Sequence, residues 1–290
     1  MRQFFSLKDL LLPLLLRPRI AMFVKWSVYS ILVFNFALYV IDDIGAYRSS
    51  LADDAALSDV LETFSTTIDT IAWLGLVFLL ELETYILSDE VLESWLGKFL
   101  TFLRYMCFAS IAYGAYGYTA EALDNYKAVP RADVSHLCDL AGTDVYLQTD
   151  SIDYSLITAD NCDDISAGPP FYKIDTKVSV IDAPTLDKVQ KIEWVNVVNA
   201  FVWLLVVFLI EVEIRLQWND RFDSKWLSVV QQVKTVSYGI LWVCSAVWLF
   251  KGYTLYGLDG IVWIAGFWAI ELNLAEWEKT RTEELRQGLS

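Results

Sequence analysis

Residues 195–215 read VNVVNAFVWLLVVFLIEVEIR, and the fold is decided by where this stretch is placed. From Val197 to Ile210 the only polar aliphatic side chain is Asn199. A helix of about 20 apolar residues crosses the hydrocarbon of a bilayer, so the segment reads as a membrane-spanning helix. Similar runs lie near 20–42, 68–86, 99–118, 228–250 and 256–275. The sequence therefore predicts an all-α polytopic membrane protein with six transmembrane helices.

The same stretch carries a spacing that recurs. Asn199 is followed by Trp203, then Glu211 and Glu213; Asp69 by Trp73, then Glu81 and Glu83; Asp259 by Trp263, then Glu271 and Asn273. In each case Trp comes four residues after the first polar residue, and Glu eight residues after the Trp. Acidic side chains inside membrane segments are costly, and recurrence at one depth calls for a structural or ion-handling reason. Asp69, Asn199 and Asp259 form the outer polar positions. Glu81, Glu211 and Glu271 lie about 18 Å deeper at 1.5 Å rise per residue, near the inner boundary.

The intervening helices carry Lys25, Arg104 and Lys234 at the depth expected of those glutamates, with Tyr29 and Tyr238 four residues after the two lysines. This suggests three parallel helical hairpins related by an axis along the membrane normal. Residues two apart on a helix point about 200° apart, so only one acid of each pair faces the bundle. Glu81, Glu211 and Glu271 are the expected inward set, because Asn273 replaces the second acid in the third copy.

Composition supports a membrane location: 56% of the 290 residues are hydrophobic and 20% charged, with mean hydropathy +0.40. Basic residues cluster at Arg2, Lys8, Arg17 and Arg19, at Arg215, Arg221 and Lys225, and at Lys279, Arg281 and Arg286. By the positive-inside rule both termini are expected in the cytoplasm, in a bacterial inner membrane. Residues 1–19 read as an interfacial arm, 20–118 as helices one to three, 119–193 as an external acidic domain, 194–275 as helices four to six and 276–290 as a cytoplasmic tail.

Cys138 and Cys162 both fall in the external segment, whereas Cys107 and Cys244 fall in apolar runs. An oxidising compartment and a small core favour a Cys138–Cys162 disulfide. Short alternating pieces at Thr143–Leu147 and Lys177–Ile181 suggest strands, with a turn at Gly168–Pro170 between them. The many Asp residues match no calcium-loop pattern, and His136 is the only histidine, which disfavours haem and His-based zinc sites. No cofactor is expected.

A net charge of -15 without a basic cluster beyond the juxtamembrane groups argues against nucleic acid. Nucleotide loops and nucleophile elbows are missing from the sequence, so enzymatic chemistry has little support. Two readings stand. The first, narrowly preferred, is a cation or proton channel or transporter using the acidic layer near the cytoplasmic side. The second is a non-catalytic scaffold or accessory subunit, in which carboxylates pair with Lys25, Arg104 and Lys234 and the external domain binds a partner. Membrane lipid and a homo-oligomer or membrane partner protein are the expected associations.

Overall fold

The computed structural model describes residues 18–51, 55–82, 87, 89–92, 94–174, 177–218 and 225–267. Its helices are α1 (Pro18–Ser50), α2 (Leu57–Thr63), α3 (Ser65–Glu81), α4 (Asp89–Leu92), α5 (Trp95–Asp124), α6 (Ala183–Trp218), α7 (Lys225–Lys251) and α8 (Thr254–Phe267). Pro18 stands at the first turn of α1, where its missing N–H costs nothing. Ser94 caps α5 by accepting from the Leu96 N–H at 3.2 Å.

Gly252 ends α7 with φ +94°. Its N–H donates to the Leu249 carbonyl and that of Tyr253 to the Trp248 carbonyl, the paired bonds of a Schellman motif. The chain then enters α8 at Thr254. A Cβ at Gly257 would lie 2.6 Å from Leu249 Cγ, so this glycine permits the close return.

The helices gather around Trp73, Ile111, Trp203, Val206, Leu241 and Phe267, all buried. Gly114 lets α3 and α5 approach closely, since a Cβ there would stand 2.9 Å from Asp69 Cβ. The outward faces are apolar instead of polar. Phe34, Phe208 and Val243 are 63%, 63% and 62% exposed, as expected where lipid is the solvent.

Between α5 and α6 lies a five-stranded sheet in the order β1-β4-β5-β2-β3, formed by Val129–Pro130, Tyr146–Gln148, Tyr154–Leu156, Phe171–Lys173 and Val180–Asp182 in chain order. The central β2–β5 pair is parallel and the others antiparallel. Two of these strands overlap the pieces expected from alternation. Leu147, Ile157, Phe171 and Val180 form a separate small core, and Cys138 and Cys162 form a disulfide with Cα atoms 5.0 Å apart. The Val178 N–H donates to the Ser50 carbonyl at 2.7 Å, tying this unit to the end of α1.

The six-span, all-α expectation is therefore corrected. Among the described residues, three helical segments are long and apolar enough to cross a membrane: Lys25–Ser50, Ala183–Glu213 and Lys225–Lys251. Ser65–Leu79 and Thr254–Phe267 are apolar but shorter. Helix α5 has the length, but Lys98, Arg104 and its run of Tyr, Gly and Ser dilute its apolar character. The sheet makes the fold mixed. Three copies of one spanning hairpin receive no support, because the helices that would carry the repeat differ in length and in apolar extent.

Candidate functional site

The three outer motif positions converge. Asp69 and Trp73 from α3, Asn199 and Trp203 from α6, and Asp259 and Trp263 from α8 line one cavity of about 80 Å³. Each pair is one helical turn apart, which puts the polar residue and the indole on one face. The Trp73 Nε1–H donates to Asp69 Oδ1 at 3.1 Å, and Asp259 accepts a bond from Trp263.

Trp73 is the hub of the aromatic floor. Its ring centroid lies 5.9 Å from those of Trp203, Trp263 and Phe267. Trp203 and Phe267 are closer still, at 5.1 Å. These are ordinary distances for tilted and edge-to-face rings. The indoles hold one another in position while other parts of their rings face the cavity.

Helix α1 adds side chains that sequence reasoning passed over. Asn35 donates from Nδ2 to Asp259 Oδ1 at 2.7 Å, and the Tyr39 hydroxyl donates to the same carboxylate. Asn35 and Tyr39 are one turn apart, a spacing that marks a polar stripe in an otherwise apolar helix. Thr70, 8% exposed, also lines the cavity.

A second cavity, also about 80 Å³, lies between this site and the sheet. The two share Thr66, Tyr118, Asn196, Trp248 and Tyr256 as walls. The upper cavity brings four carboxylates, of Asp43, Glu62, Glu121 and Glu193, around Lys177. Lys177 Nζ is 2.5 Å from Glu121 Oε1. Burial alone would lower the Lys177 ammonium, but Glu121 outweighs it and holds the group above its ordinary value. Burial, reinforced by Glu121 and Asp124, pushes the Glu62 carboxyl up to about 7.

The cavity roof is fastened by polar contacts. The Ser151 hydroxyl donates to Glu193 and the Tyr253 hydroxyl to Asp150. Lys188 Nζ lies 2.6 Å from Asp150 Oδ2, and the Trp248 Nε1–H donates to Asn196 Oδ1 at 3.0 Å. These contacts join the inserted sheet unit to α6 and to the α7–α8 turn. They connect segments too far apart in sequence for spacing to reveal.

The deeper layer contains a buried ion pair. Glu211 is exposed, whereas Glu213 is 9% exposed and pairs with Lys234 at 2.5 Å. Gln231 Nε2 donates to the same carboxylate at 3.4 Å. Lys25 is half-buried with Nζ 5.8 Å from the Tyr29 ring centre, and Arg104 is half-buried on α5. Glu81 closes α3, but its side-chain surroundings lie outside the described residues, as does the whole of Glu271. Of the expected three-carboxylate layer, only the Glu211 side chain therefore lies within the described residues.

Cys138, Cys162 and Asp163 also stand close together, but the disulfide consumes both thiols that would bind a metal. No protein-family model, curated protein or solved structure matches the chain.

Proposed function

We propose that this is an integral membrane protein that takes up a cation, as a channel or transporter, with Asp69 and Asp259 at the binding step. The observation that carries the reading is the convergence of Asp69, Asn199 and Asp259, from three different helices, on one cavity. Carboxylates placed among apolar helices favour a positively charged occupant, because an uncompensated charge there is costly. The carboxylate-rich upper cavity would raise the local concentration of cations ahead of that site. In this reading the sheet unit with its disulfide faces the oxidising side of a bacterial inner membrane, and the start of α1 faces the cytoplasm.

This shifts the functional weight from the deeper acids to the outer polar positions. Glu213 already has Lys234 as its partner, which favours a structural role for that pair. The same pair favours a second reading, a non-catalytic scaffold whose outer unit recruits a partner.

Flux in proteoliposomes under imposed proton, sodium and potassium gradients separates the readings. Expected is a wild-type flux abolished in Asp69→Asn and Asp259→Asn, with Glu211→Gln nearly unaffected. Correctly folded wild type that moves none of these ions, nor the ammonium ions considered below, would remove the transport reading.

A further inference from the structure

The lower cavity specifies more than positive charge. A bare inorganic cation is best held by many oxygen ligands, for example six to eight for calcium. Here four indoles, of Trp73, Trp203, Trp248 and Trp263, and the Phe267 ring line the wall beside the two carboxylates and the oxygens of Thr, Asn and Tyr side chains. Asp259 already accepts from Asn35 and Tyr39, and Asp69 from Trp73. The carboxylates are therefore oriented, but part of their coordinating capacity is used.

An alkylammonium ion fits this mixture. Its diffuse charge is attracted to the faces of tryptophan rings, the strongest of the aromatic partners, while its apolar substituents lose nothing by leaving water. Two carboxylates on opposite helices supply the counter-charge. Thr70, buried and lining the cavity, supplies a hydroxyl for an N–H or O–H group of the ligand.

We infer that the cavity bounded by Trp73, Trp203, Trp263, Asp69, Asp259 and Thr70 binds a small organic ammonium ion. This rests on the cation reading above and names its substrate class. The upper cavity adjoins the site, with shared walls that include Tyr118 and Tyr256. The carboxylates of Glu62, Glu121 and Glu193 line that upper cavity.

The test is calorimetric titration of the purified full-length protein with choline, tetramethylammonium and 3,3-dimethylbutanol, the last a neutral shape analogue of choline. Expected is saturable binding of both ammonium ions and none of the alcohol. Asp69→Asn should weaken choline at least tenfold, and Asn199→Asp, which adds a third carboxylate, should strengthen it. Circular dichroism verifies that each variant is folded.

Folded wild type that binds neither ammonium ion overturns the inference, as does equal binding of the neutral alcohol. If sodium, potassium or proton flux were nonetheless lost in Asp69→Asn, the cation reading would stand and only the substrate class would fall. Ammonium binding without flux of any ion would keep the site and remove transport.

Discussion

Lys234 reaches across from α7 to Glu213 on α6, placing Nζ 2.5 Å from Oε2, with both residues only 9% exposed. The acid that makes this contact is the second of the Glu211–Glu213 pair. Two residues along a helix turn a side chain by about 200°, so only one of them can face α7. Gln231, three residues before Lys234 on the same face, adds a donor to the carboxylate.

Removing one partner leaves the other charge buried without compensation, which costs about 3–5 kcal/mol. Lys234→Met is therefore expected to lower the thermal midpoint in detergent sharply. Lys234→Met combined with Glu213→Leu should recover most of the loss, because an apolar pair of similar volume is often neutral. A single variant as stable as wild type would show that the pair contributes little.

Glu62 gives stability a pH dependence. Its carboxyl is raised from an ordinary 4.5 to about 7, chiefly by burial, with Glu121 and Asp124 adding to the effect. Between these values the folded chain holds a proton that the unfolded chain has released, so its contribution is fully present below about 4.5. That contribution is lost as pH rises through about 7. The thermal midpoint should fall across this window, and Glu62→Gln should flatten the fall. An unchanged slope in the variant would assign the pH dependence to other groups.

The disulfide closes a loop with a sequence separation of 24 residues. In the chain-entropy account a loop of this size is worth about 3 kcal/mol. Replacing Cys138 and Cys162 together by Ser should loosen the sheet unit selectively. Hydrogen exchange should then quicken in β2 and β5 while the α6–α7 contact stays protected. Uniform loosening of sheet and helices would contradict separate small cores.

Two glycines make a paired test of helix packing. At Gly114 an added Cβ would stand 2.9 Å from Asp69 Cβ, whereas at Gly239 it would meet nothing within 4 Å. Gly114→Ala is expected to destabilise by about 1–3 kcal/mol through overpacking and to weaken ligand binding by displacing Asp69. Gly239→Ala should instead stabilise by up to about 1 kcal/mol, since alanine is the better helix former. Equal effects at the two sites would mean that α3 and α5 are not in close contact.

Local geometry was legible wherever it depends on spacing along one helix. Asp69 and Trp73, four residues apart, meet in a hydrogen bond. The Cys138–Cys162 pairing also followed, because only two cysteines fell in the polar segment. The number of membrane-crossing helices was overstated, since apolar composition alone does not distinguish a span from a shorter helix packed inside a bundle. The sheet was underestimated, because its strands have only two or three residues each, too short for alternation to establish a pattern.

The residues themselves determined an apolar helical protein, the recurrent polar–Trp spacing and a polar insert with one disulfide, because hydrophobicity and helical periodicity are properties of neighbouring positions. Only the tertiary structure decided that Asp69, Asn199 and Asp259 share a cavity, that Asn35 and Tyr39 join them, and that Glu213 faces Lys234. Those relationships depend on how each helix is rotated and how far it slides against its neighbours. Rotation and sliding are settled by side-chain packing between distant segments.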